Sequence, residues 1–150
     1  MAQARRKSTK PAKLTHQVSR GLREGALLIL GAVAIFLLVS LATYHPADPG
    51  WSSSGAYTQI HNAGGLIGAW LADVLLYLLG YLSYLFPVMV GYSGWLVYRG
   101  DTSDGSVDLH VLAVRWSGFL LTVGAGCGLA TLESGASNAG LPAGAGGVLG

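Results

Sequence analysis

GALLILGAVAIFLLVSLAT, residues 25–43, runs for nineteen residues without one ionisable group. At 1.5 Å per residue a helix of that length reaches about 28 Å, close to the roughly 30 Å hydrocarbon core of a bilayer. Its flanks give it a direction. Seven of the nine Lys and Arg residues (Arg5, Arg6, Lys7, Lys10, Lys13, Arg20, Arg23) precede it, and Tyr44, His45 and Pro46 follow it. A basic region before an apolar run also heads a cleaved signal peptide, but there the run is only about 7–15 residues and small residues precede the cut. The length and the Tyr-His-Pro exit favour a signal anchor. Arg5-Arg6 lies too far from the run to suit twin-arginine export.

The rest of the chain fits the same solvent. Hydrophobic residues make up 51%, charged residues 11%, and mean hydropathy is +0.49, whereas a soluble domain carries about 25% charged residues. Residues 1–24 read as a basic, flexible arm, with helix expected toward Val18–Glu24, and suited to anionic lipid. Residues 44–65 read as a loop. Pro46, Pro49 and Gly50 stop a helix there, and Trp51 and Tyr57 are rings suited to a membrane interface. Leu66–Tyr98 is too long for one perpendicular span. Leu66–Ala72 reads as an interfacial segment or the outward extension of a tilted helix, and Val74–Tyr98 as a span kinked at Pro87. Residues 99–111 form a short polar loop, Leu112–Leu132 a third span, and the Gly-rich remainder carries no span of its own.

The expected fold is therefore all-α, a multi-pass transmembrane helical domain with three spans. Its layout is arm 1–24, span 25–43, loop 44–65, interfacial segment and second span 66–98, loop 99–111, span 112–132 and Gly-rich segment 133–150. Lys and Arg mark the cytoplasmic side of short loops. They number seven in the arm, none in the first loop, two around the second loop (Arg99 and Arg115) and none in the last segment. The N-terminus is then expected in the cytoplasm, with 44–65 and 134–150 outside.

An ionisable residue at membrane depth is a functional candidate by default, which singles out Asp73. Near the outer end of its span, its carboxylate is expected to meet water; the sharper reading is a proton or ion relay with Glu133. His45 and His61, with Asp48 nearby, lack a familiar metal-ligand spacing, so a capping or solvated role is expected and no metal. Cys127 reads as a small packing residue. Gly64/Gly68 and Gly124/Gly128 have the spacing of close helix contacts, and Tyr77, Tyr81 and Tyr84 make a stripe on one helical face. No lysine follows Lys13, so no GxxxxGK phosphate loop exists in the chain. Nor does any nucleophile–base pair suggest catalysis. No catalytic, cofactor-binding or metal residue is expected. The candidate interaction or membrane-interface residues are Asp48, Trp51, His61, Asn62, Trp70, Asp73, Arg99 and Arg115.

HPADPGWS (45–52) followed by IHNAGGLIGAWLADVLLYLLGYLSYLFPV (60–88) resembles the membrane domain of the FtsK/SpoIIIE DNA translocases, nearest its FtsK branch. RWSGFLLTVGAGCGLATL (115–132) and GGVLG (146–150) fit in the same order, so the resemblance covers nearly the whole chain. It implies a four-span inner-membrane anchor, with a fourth span, a linker and a hexameric ATP-driven motor expected beyond residue 150. It further implies location at the division septum, contacts with other divisome membrane proteins, and a role in coupling chromosome segregation to cell division. ATP, magnesium and DNA would belong to the motor, and self-association would rest on its hexamer. The lipid bilayer is the partner of this part. A subunit of a small transporter or channel is the competing reading, with Asp73, Glu133 and Arg115 its only polar candidates. A DNA pore made by the spans would need a basic ring that they lack.

Overall fold

The structure, a computed structural model, describes residues 10–52, 59–99, 109–134 and 140–150. Arg5, Arg6, Lys7, Tyr57 and the aspartates of 100–108 lie outside the described residues. Every regular element among those described is helical: α1 (Lys10–Ala42), α2 (Gly65–Leu79), a 3-10 segment (Gly80–Tyr84), α3 (Leu85–Arg99) and α4 (Leu109–Ser134). Among the described residues three helical stretches are long and apolar enough to cross a membrane: Arg20–Ala42, Gly65–Arg99 and Leu109–Glu133. Leu28, Ile35, Val88, Leu121, Leu129 and Leu132 are exposed on them. An apolar surface that extensive would aggregate in water, and is ordinary in lipid.

α1 starts at Lys10, inside the basic arm, and packs against α3 through small residues. Gly94 lies against Leu30 and Gly91 against Ala34. Between lipid-embedded helices no hydrophobic gain drives association, so close backbone approach and dispersion must supply it. The last turn of α1 turns to α2 instead, where Leu41, Ala72 and Leu76 form one buried cluster with Tyr44 and Tyr84 around it. Ser40 sits against Gly64 and Gly68. This glycine pair therefore makes a real helix contact. Gly124 and Gly128 have nothing within 4 Å, so they make no such contact among the described residues.

The long second segment breaks at Gly80, not at Pro87. Gly80 takes φ 57° and ψ −136°, a combination that side chains strongly disfavour. Pro87 is in the first turn of α3, where its missing N–H leaves no hydrogen bond unmade. The break also ends the tyrosine stripe. Tyr84 turns inward and donates to the Leu41 carbonyl at 2.9 Å, while Tyr81 stays exposed.

Residues 140–150 fold back onto this break. Val148 and Leu149 N–H groups donate to the Tyr77 and Leu78 carbonyls (2.9 and 3.1 Å), and Tyr81 N–H donates to the Ala145 carbonyl at 2.9 Å. They satisfy backbone groups that the interrupted helix leaves orphaned, which is obligatory where water is scarce. Cys127, fully buried with Leu79 and Val123, closes the same junction from α4. Its thiol points to the Leu79 carbonyl, 3.4 Å away.

Candidate functional site

Two buried carboxylates organise the connection between α1 and α2. The first is Asp48, 4% exposed, in the turn that Pro46 and Pro49 impose. Its Oδ1 accepts the His61 N–H at 2.8 Å and faces His61 Nδ1 at 3.0 Å; its Oδ2 accepts the Asn62 N–H at 2.8 Å. Asn62 then carries the tie onward. Its amide Nδ2 donates to the Ser40 carbonyl (2.7 Å) and the Thr43 carbonyl (3.3 Å), groups left open by the end of α1. Its Oδ1 accepts the Gly64 N–H at 2.8 Å, just before α2 begins. One asparagine thus closes one helix and opens the next.

The second carboxylate is Asp73 on α2, only 2% exposed. Its Oδ2 accepts the Ser52 N–H at 2.6 Å, and its Oδ1 accepts the hydroxyls of Ser52 (2.7 Å) and Tyr44 (3.3 Å). Gly50 packs so closely that a Cβ there would lie 2.5 Å from Asp73 Oδ2. The expectation that Asp73 meets water is therefore corrected: the loop folds over it and supplies the donors that water would otherwise provide. Glu133 is exposed on α4, and the bonds to Asp73 come from Ser52 and Tyr44, so the structure brings no relay pair together. Burial and the neighbouring Asp73 carboxylate push the Tyr44 hydroxyl up to about 12.

Trp51 and Trp70 flank this lock, their rings edge to face with centroids 6.4 Å apart. Both remain exposed, which places an apolar pair with polar N–H edges beside the loop. His61 is exposed and stacked on His45. Arg99 is elsewhere, its guanidinium 5.0 Å from the Trp95 ring centroid at the end of α3, and Arg115 is exposed near the start of α4. Of the eight candidates, six gather around the α1–α2 connection; the two arginines do not. Sequence reasoning missed Ser52, Tyr44 and Thr43. Only the tight succession Asp-Pro-Gly-Trp-Ser hinted that a serine would be aimed at something.

Burial pushes the Asp48 carboxyl up, but hydrogen bonds from the His61 N–H, the His61 ring and the Asn62 N–H outweigh it and hold the group below its ordinary 3.8. A carboxyl depressed by folding adds stability above its unfolded value, and loses it as pH falls through the folded value. The melting temperature of the chain is therefore expected to exceed that of Asp48→Asn at neutral pH. The gap should narrow below about pH 4, as paired acid titrations would show.

The sequence pattern described as the 4TM region of DNA translocase FtsK/SpoIIIE matches residues 19–150. A protein named DNA translocase FtsK from Pseudomonas syringae pv. syringae (strain B728a) is 38% identical over 135 residues, covering 89% of this chain and 17% of the relative. Proteins of that name from Shewanella oneidensis and Pseudomonas aeruginosa are 39% and 38% identical over 68% and 81% of the chain, or 11% and 15% of their own length. No solved structure matches. The chain spans less than a fifth of the length of these relatives. With a match from the first third of α1 through the segment that fills the Gly80 break, this chain belongs to the FtsK/SpoIIIE 4TM family.

Proposed function

We propose that this chain is the membrane-anchoring and divisome-interaction region of an FtsK-like translocase that couples chromosome segregation to cell division. The observation that carries this reading is the family match over a chain whose polar groups are spent on shape. Asp48, Asn62 and Asp73 fix the α1–α2 connection through hydrogen bonds within the chain. In this reading the chain sits in the bacterial inner membrane with its N-terminus in the cytoplasm. The α1–α2 loop and the Trp51–Trp70 pair lie at the outer surface, where they meet lipid headgroups and other divisome membrane proteins. ATP hydrolysis, hexamer formation and DNA pumping belong to the remainder of an FtsK-like protein. The transporter reading loses its main candidate, because the Asp73 oxygens are engaged by the chain's own loop.

A green fluorescent protein on the N-terminus tests sidedness and targeting together, since it matures in the cytoplasm and stays dark after Sec export. A bright band at the division septum is expected. An even bright rim would refute targeting by this region, and a dark but membrane-inserted fusion would refute the orientation.

A further inference from the structure

Folding brings together three metal-ligating side chains whose sequence spacing gave no hint of it. One ligand atom from each of His45, Asp48 and His61 lies within 4.8 Å of the others. His61 Nδ1 and Asp48 Oδ1 are 3.0 Å apart. Two donors bound to one ion at about 2.1 Å are separated by about 3.0–3.4 Å across an octahedral or tetrahedral edge. That pair has the separation an ion requires, and a bound ion takes the place of the hydrogen bond between them. The His45 ring is stacked on the His61 ring, with centroids 4.5 Å apart and planes 30° from parallel. His45 is exposed, so a small movement of its side chain completes the set and leaves the site open to water. What it gives up is minor: its Nδ1 accepts the Ala47 N–H at 3.2 Å, and Ala47 is itself exposed.

We propose that His45, Asp48 and His61 form a binding site for one divalent ion of the zinc type, with water in the remaining positions. Two imidazoles and a carboxylate suit zinc and its later first-row neighbours, whereas calcium and magnesium require oxygen donors. Each Asp48 oxygen accepts one backbone N–H, Oδ1 from His61 and Oδ2 from Asn62, the kind of support that orients a ligating carboxylate. No Lys or Arg occurs between Arg23 and Arg99, so no basic side chain of the loop competes with the ion. The bound ion links the turn after α1 to the residue that precedes Asn62 and α2, closing the loop on itself. This inference stands apart from the anchoring role and survives its failure.

The test uses the 150-residue chain in detergent micelles, titrated with cobalt chloride and then zinc chloride. A visible cobalt band should saturate at one ion per chain and vanish when zinc displaces it. Zinc should raise the melting temperature, reversibly with EDTA. His45→Gln, at an exposed position, should keep the helical circular dichroism and weaken binding about tenfold or more, with His61→Gln doing the same. His16→Gln and His110→Gln should change nothing. The proposal is overturned if the wild-type chain gives no saturable cobalt band at millimolar metal, or if His45→Gln binds as tightly as wild type.

Discussion

Asp73→Ala is expected to destabilise the chain by about 3 kcal/mol and to detach the part of the loop around Ser52. Three donors converge on this carboxylate, and a hydrogen bond to a charged acceptor contributes about 1.5–3 kcal/mol. The loss is smaller than the sum because Ser52, near the loop surface, can turn to water once released. Asp73→Asn separates geometry from charge. It can keep an acceptor toward the Ser52 and Tyr44 hydroxyls, but it sets an N–H₂ against the Ser52 N–H that now donates at 2.6 Å. About half the effect is expected. Thermal melting in micelles, with limited proteolysis around residues 44–52, reads both variants. A relay role for Asp73 predicts the reverse pattern, with an unchanged melting temperature and an intact loop in Asp73→Asn.

This prediction could not have been drawn from the sequence, and the reason is physical. Apolar length is a property of one segment, so the three spans were legible from composition and from the rise of a helix. The burial of Asp73 depends on Ser52, twenty-one residues earlier, and on the loop path between them. No periodicity encodes that distance. The same holds for His45 and His61, where Pro46 and Pro49 turn the chain back on itself. Trp51 and Trp70 stand out in the sequence by side-chain type alone, as rings suited to an interface, whereas their edge-to-face pairing does not. Residues that act through a partner across a turn, such as Asn62 toward Ser40, were found as candidates without their role.

Pro87 misled for a related reason. Proline is the strongest local breaker, so it drew the kink toward itself, but at the start of a helix it breaks nothing. The real interruption depends on Gly80 and on what occupies the gap. The Gly-rich segment 133–150 is expected from its sequence only to carry no span of its own. In the structure the glycines of 140–150 let its backbone reach the Gly80 break and Cys127, where Cβ atoms would collide with carbonyl groups.

Gly80→Ala follows as the second large effect, expected at about 3–5 kcal/mol. An L side chain at φ 57°, ψ −136° costs about 1–3 kcal/mol. The added Cβ would also collide with the Ala145 carbonyl, which is backbone and cannot rotate aside. Segment 140–150 must then leave, with the loss of the bonds joining Ala145, Val148 and Leu149 to Tyr81, Tyr77 and Leu78, each contributing about 1 kcal/mol. Cys127 reports the event. It is the only cysteine in the chain, it is fully buried, and the departing segment lies against its carbonyl. A membrane-permeant maleimide should label the wild-type thiol slowly and Gly80→Ala quickly. A chain ending at Gly140 should label as fast, without any strain at residue 80. Gly31→Ala, on a face of α1 with nothing within 4 Å, should label like wild type and, by helix propensity, melt no lower. Equal labelling of Gly80→Ala and wild type would mean that the segment does not close the break, and the junction of α2, α4 and the C-terminal residues would have to be rebuilt.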